Sequence, residues 1–219
     1  MNQLLTSMFA LAVASVTAVS AHAQEIKGDA KAAEQKIAMC IGCHGIKGYQ
    51  ASFPEVYRVP MISGQNAKYI VSALNAYKKG ERKHPTMRGI ADSLSEQDMA
   101  DLGAYYEQHA KVEPVTKTPK APDAKVAALL QKGACISCHG DNFNKPIDPS
   151  YPKLAGQHKD FLFVALKSYK TENQSTWGRN NGVMGGIAKQ FSNAELKAMS
   201  AYIASLDGEM KVVPQSKFR

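Results

Sequence analysis

Apolar residues recur at helical spacing through most of the chain. The run from Asp29 to Cys40 carries Ala32, Ala33, Ile37 and Met39, and the run from Ala124 to Cys135 repeats it with Val126, Ala127, Leu129 and Leu130. Asn66 to Lys79 places Ile70, Val71, Leu74 and Tyr77 on one side of a helix. Ser95-Glu96-Gln97-Asp98 has the form of a capping box and opens a helix through Met99, Leu102, Tyr105 and Tyr106. Ser192-Asn193-Ala194-Glu195 repeats that cap before Leu196, Met199, Tyr202, Ile203 and Leu206. No alternating pattern of comparable length competes, so the expected fold class is all-α.

These parallels belong to an internal duplication. Pro60-Met61-Ile62-Ser63-Gly64-Gln65 matches Pro152-Lys153-Leu154-Ala155-Gly156-Gln157, and Tyr77-Lys78 matches Tyr169-Lys170. Further on, Met87-Arg88-Gly89-Ile90-Ala91 falls on Met184-Gly185-Gly186-Ile187-Ala188, and Ala104-Tyr105 falls on Ala201-Tyr202. The second half holds extra residues before its methionine, in the stretch with Trp177, Gly178, Asn180, Asn181 and Gly182. Between the halves, Pro114, Pro119 and Pro122 alternate with charges and predict an extended, semi-rigid connector. The expected division is a leader at 1–23, a first unit at 24–110, a linker at 111–124 and a second unit at 125–219.

The leader has no charged side chain, is apolar from Leu4 to Val19, and ends in Ala21-His22-Ala23 before Gln24. That pattern predicts a cleavable export signal and a periplasmic mature chain. No later segment reaches the roughly 18 apolar residues of a membrane-spanning helix.

The chemistry enters with two copies of C-x-x-C-H, at Cys40-Ile41-Gly42-Cys43-His44 and Cys135-Ile136-Ser137-Cys138-His139. Together they use all four cysteines of the chain. The pentapeptide is the attachment signal of c-type haem: two thiols a helical turn apart add to the two vinyl groups, and the adjacent histidine reaches the iron. A shared zinc site would need the two pairs to converge, and a redox dithiol would follow a strand. The expected cofactors are therefore two covalently bound haem c groups, on Cys40 and Cys43 and on Cys135 and Cys138. His44 and His139 are the expected axial ligands. Each unit is small for an independent apolar core, so each helical domain is expected to wrap around its haem.

The duplication also selects the second iron ligand. Of the nine methionines, Met61 falls on Lys153, Met39 on Ala134, Met99 on Leu196 and Met199 on Leu102, which is the pattern of apolar filler. Only Met87 meets a methionine, Met184, and both are expected in glycine-containing loops between helices. His84, His109 and His158 have no histidine at the matching position, and His84 is the rival ligand nearest to Met87. Histidine–methionine ligation fills the iron, which favours electron transfer over catalysis and raises the reduction potential.

Two C-x-x-C-H units joined by a short linker, each with a methionine before its last helix, resemble the cytochrome c4 family over essentially the whole mature chain. The resemblance implies two class I cytochrome c domains with their haems facing across the interface. It implies a periplasmic electron carrier, not an enzyme, running from a quinol-oxidising complex to a haem–copper terminal oxidase. The dihaem subunit of a flavocytochrome sulfide dehydrogenase shares the layout and is the alternative. Oligomeric state and peripheral membrane association are left open by the residues.

Charge refines the partner. The chain carries a net +8, and residues 125–219 hold 13 basic against 7 acidic side chains where residues 24–110 hold 11 against 10. A basic second half favours acidic redox partners, with Lys145, Lys153, Lys159 and Lys189 as candidate docking residues. Nucleic acid is not an expected partner of an exported haem protein.

Overall fold

The computed structural model describes residues 26–110, 120–171 and 174–214. The leader and most of the linker lie outside those residues. The first half holds α1 (Ala30–Ala33), α2 (Ala38–His44), the two-residue strands β1 (Gln50–Ala51) and β2 (Tyr57–Arg58), α3 (Ala67–Lys78), β3 (Arg82–Lys83), α4 (Pro85–Asp92) and α5 (Glu96–His109). The second half holds α6 (Ala124–Lys132), α7 (Ile136–His139), α8 (Lys159–Tyr169), β4 (Gly178–Arg179), α9 (Gly182–Ala188) and α10 (Asn193–Ala204).

The first predicted helix is broken. Asp29 caps α1 by accepting the Lys31 N–H, and after Ala33 a turn at residues 34–37 separates α1 from α2. The capping boxes form as expected: Ser95 and Asp98 open α5, and Ser192 and Glu195 open α10. Each satisfies two backbone donors that the first turn would otherwise leave without partners.

The last helix of each half is the centre of its packing. α5 packs on α1 and α3, and α10 on α6 and α8. The cores fall at matching positions: Leu94, Met99, Leu102 and Tyr106 are buried in the first, and Phe191, Leu196, Met199 and Ile203 in the second. Met99 and Met199 are thus core filler, as their unmatched positions imply. Met39 is instead partly exposed and Met61 half-buried. Gly103 lies where α5 crosses α3; a Cβ there would come within 2.9 Å of the Ala67 carbonyl oxygen. Close helix approach at that crossing requires the glycine.

The repeated Pro-x-x-x-Gly-Gln segments build the seam between the halves. Gln65 donates from Nε2 to the Lys153 carbonyl (3.0 Å) and accepts the Lys153 N–H at Oε1 (2.9 Å). Gln157 does the same to Met61, at 2.9 and 3.0 Å. The two glutamines therefore mimic strand pairing, each with the backbone of the other half, and both are buried. Their amides also point at one sulfur, Met210 Sδ. The preceding glycines take positive φ (Gly64 89°, Gly156 73°), and a Cβ at Gly64 would strike the Glu209 carbonyl oxygen.

Further ties cross the seam. Arg58 pairs with Asp160 (3.0 Å) and Lys167 with Glu55 (2.8 Å). The Lys211 N–H donates to the Ser63 carbonyl, and β3 pairs antiparallel with β4. The extra residues of the second half thus supply β4. Lys153 leaves the docking set: its ammonium donates to the Gly64 carbonyl and pairs with Glu209 at 2.7 Å, so its charge is used inside the seam.

Candidate functional site

The first C-x-x-C-H motif lies on α2 and the second runs from the N-cap of α7 through that helix, and each histidine is held by the repeated proline. His44, on α2, donates from Nδ1 to the Pro60 carbonyl at 2.7 Å, and His139, on α7, donates to the Pro152 carbonyl at 3.2 Å. A carbonyl can only accept, so each bond fixes the tautomer and leaves Nε2 with a free lone pair. Burial lowers the pKa of both imidazoles, partly offset by the carbonyl bond, so both stay neutral and able to ligate.

The methionines are placed differently from the expectation. Met87 and Met184 lie in the first turns of α4 and α9, not in loops. His84 caps α4 by accepting the Met87 N–H at Nδ1 (3.4 Å), and Asn181 caps α9 by accepting the Met184 N–H at Oδ1 (2.9 Å). Each methionine is therefore the residue whose own backbone is held by the cap. His84 is a cap in this arrangement, and its Nε2 is engaged by the Tyr57 hydroxyl at 3.0 Å. His109 is likewise tied, through Nδ1 to Ser63 Oγ at 2.9 Å.

A cavity of about 390 Å³ brings the first set together: Cys40, Cys43, His44 and Met87 all line it. Its remaining wall is largely apolar and aromatic, as a cofactor site of this size requires. For the second set the placement is read element by element. Cys135 packs against the second core, His139 is buried and Met184 is half-buried at the start of α9.

The thiols argue against the other cysteine chemistries. Burial pushes the Cys40 thiol up to about 11 and raises that of Cys135. A reactive dithiol needs the opposite shift. Cys40 and Cys135 pack on different cores, so the two pairs do not converge on one metal. What the site does offer is a pair of thiols on a short helix, a neutral imidazole with one free lone pair, and a thioether on a capped turn, twice over. This donor set fits haem c.

Four functional candidates escaped the sequence reading: Gln65, Gln157, Arg82 and Arg179. The glutamines were visible as matched positions, although nothing local shows what they bind. The arginines carry a comparable signal, since each stands five residues before its methionine, in Arg82-x-x-x-x-Met87 and Arg179-x-x-x-x-Met184.

Tandem helical units that each present such a donor set define a dihaem c-type cytochrome. The sequence profile of the cytochrome c family matches residues 30–110 and 124–207. Cytochrome c4 of Stutzerimonas stutzeri is 31% identical over 220 residues, covering 94% of this chain and 100% of that protein. The structure of reduced recombinant cytochrome c4 from Pseudomonas stutzeri superposes with a TM-score of 0.61 at 29% identity, over 82% of this chain and 100% of that one. A thiosulfate dehydrogenase electron acceptor of Stutzerimonas stutzeri strain A1501 is 28% identical over 202 residues, 88% of this chain and 89% of that protein. The chain belongs to the cytochrome c4 family. It is an electron-transfer protein with two covalently bound haem c groups, not an enzyme. No helix among the described residues is long and apolar enough to cross a membrane.

Proposed function

We propose that Cys40 and Cys43 hold the first haem, with His44 and Met87 on its iron, and that Cys135, Cys138, His139 and Met184 do the same for the second. The two folding units would be residues 24–110 and 125–219, joined by the linker at 111–124. The observation that carries this reading is the matched pair of Pro–His and cap–Met contacts. When bound, each haem passes one electron at a time between the ferric and ferrous states. The residues do the rest. Pro60 and Pro152 hold the imidazoles in the ligating tautomer, and His84 and Asn181 fix the turns that carry the thioethers. The apolar wall of the first cavity excludes water and so favours the less charged, reduced iron.

The protein is then a periplasmic carrier that takes electrons from a quinol-oxidising complex and delivers them to a haem–copper terminal oxidase. Mixing the reduced protein with membranes of its own organism should give cyanide-sensitive oxidation. Met87→Ala and Met184→Ala should each abolish the near-infrared methionine–iron band of one haem, and a variant that keeps both bands refutes the ligand assignment. The related thiosulfate dehydrogenase electron acceptor supports a second reading, delivery from a sulfur-oxidising dehydrogenase. Reduction by a periplasmic extract on addition of thiosulfate, but not of quinol, would favour it.

A further inference from the structure

Matched positions of the two cores exchange one apolar residue for another: Leu94 for Phe191, Met99 for Leu196, Leu102 for Met199. Tyr106 departs from that rule. It falls on Ile203, one residue after the matched Ala104-Tyr105 and Ala201-Tyr202. Main-chain bonds hold the two positions alike, since Gly64 donates to the Tyr106 carbonyl at 2.7 Å and Gly156 to the Ile203 carbonyl at 3.1 Å. Both side chains are buried, at 3% and 5% exposure. The backbone is therefore shared, and the halves differ here by a phenol against a hydrocarbon.

A buried tyrosine hydroxyl ordinarily has a partner, because leaving it without one is costly. Tyr106 Oη is buried and makes no hydrogen bond of normal geometry among the described residues. The ring is set edge-on against Tyr105, with centres 5.1 Å apart, and against His109 at 5.7 Å, which restricts where the hydroxyl can aim. It is near enough to Cys40 for the two groups to act on each other. Burial raises the pKa of the phenol and Cys40 raises it further; burial also raises the Cys40 thiol, and the phenol takes back part of that rise. Both side chains line the first cavity with His44 and Met87.

Cys40 becomes a different group once a haem is attached. Addition of the thiol across a vinyl group forms the C–S bond and passes the thiol hydrogen to the other vinyl carbon. The thioether sulfur then carries no hydrogen and can only accept, so a bond between the two side chains must run from phenol to sulfur. Such a donor turns the positive end of its dipole toward the edge of the macrocycle and disfavours the more highly charged ferric state. Ile203 offers Cys135 no such donor.

We propose that the Tyr106 hydroxyl donates to the Cys40 thioether sulfur and raises the reduction potential of the first haem alone. This rests on the attachment of that haem at Cys40. Tyr106 is a positioning residue, since it acts on the iron through Cys40.

The test is redox titration and proton NMR of the holoprotein and its Tyr106→Phe variant, each haem being followed through the methyl signal of its ligand methionine. The expected result is a fall of about threefold in the reduction equilibrium constant of the first haem, about 28 mV at 59 mV per tenfold change for one electron. The second haem should not move. The reduced wild type should show a slowly exchanging hydroxyl proton with cross-peaks to the Cys40 β-protons, missing from the variant. Absence of that proton, or cross-peaks to water or to a haem carboxylate arm instead, would overturn the bond to sulfur. No shift, or equal shifts at both haems, would overturn its effect on potential. Tyr106→Ile, which copies the second half, should give the same fall as Tyr106→Phe. A fall with isoleucine but not with phenylalanine would assign the effect to ring packing and overturn the proposal. Loss of a near-infrared band in a variant would count against the ligand assignment, and the hydroxyl cross-peaks of the wild type would then decide alone.

Discussion

Replacing Gln65 by alanine should separate the contribution of the seam from that of the two cores. The side chain is 4% exposed. It holds the Lys153 N–H and carbonyl of the other half, at 2.9 and 3.0 Å, and accepts the Asn66 N–H at 3.0 Å. Truncation leaves the Lys153 donor and acceptor in a seam that water enters poorly. Each such orphaned group costs about 1–3 kcal/mol, and partial hydration puts both at the low end, so the expected loss is about 2–4 kcal/mol. Against a typical stability of about 5–15 kcal/mol this is large. Urea unfolding of the oxidised holoprotein, followed by Soret absorbance and far-ultraviolet circular dichroism, measures it. The wild type should unfold in one transition and the variant in two, as the halves lose their coupling. Gln157→Ala should behave alike. The double variant should lose less than the sum, because both amides address Met210 Sδ and opening one side of the seam hydrates the other. A loss below about 0.5 kcal/mol with a single transition would refute the reasoning, because exposed polar contacts change stability by no more than that.

Two further outcomes follow from charge. Burial raises the Asp160 pKa but its bonds from Arg58 outweigh that and leave it lowered. A depressed carboxylate stabilises the fold above its unfolded pKa, about 3.9, and loses that effect as pH falls through the folded value. The urea midpoints of wild type and Asp160→Asn should therefore differ at pH 7 and converge below about pH 4; a constant gap would assign the effect to packing. Charge reversal at Lys145, Lys159 and Lys189 should slow association with the proposed oxidase partner and flatten its salt dependence more than reversal at Lys68 and Lys79, as measured by stopped-flow. Reversal at Lys153 should instead destabilise the seam, and equal effects from the two surface sets would mean that the excess charge serves solubility.

Features written in short windows were legible in the sequence. Both capping boxes, the helix opened by Asn66 and the paired C-x-x-C-H motifs each depend on residues a few positions apart. The methionine turns were misread as loops for a physical reason. α4 and α9 have 8 and 7 residues, well below the length at which propensity alone sustains a helix, and Gly89, Gly185 and Gly186 weaken it further. Their caps, His84 and Asn181, come from outside the usual Ser/Thr pattern in one case and follow a variable loop in the other. Lys153 was misread because a lysine looks the same whether it faces water or Glu209, 56 residues away. The roles of Gln65 and Gln157 depend on backbone 88 and 96 residues distant, which no local pattern encodes. Duplication is the one signal that crossed such distances. It picked out Met87 and Met184, and by the same rule would have picked out Arg82 and Arg179.

The contact between Gln65 and Met210 also sets an order of events. The two residues are 145 positions apart, and the Ser63 carbonyl waits for the Lys211 N–H. As the chain is exported amino end first, the first half can take up its haem and close its core before the residues that cover its seam arrive. Its polar rim must then remain hydrated until the second half has followed and folded. The last turn of chain after α10 then acts as a latch that reports completion. A chain truncated before residue 209 would leave two folded beads with a wet, open joint, and that joint would be the natural place for proteases to cut.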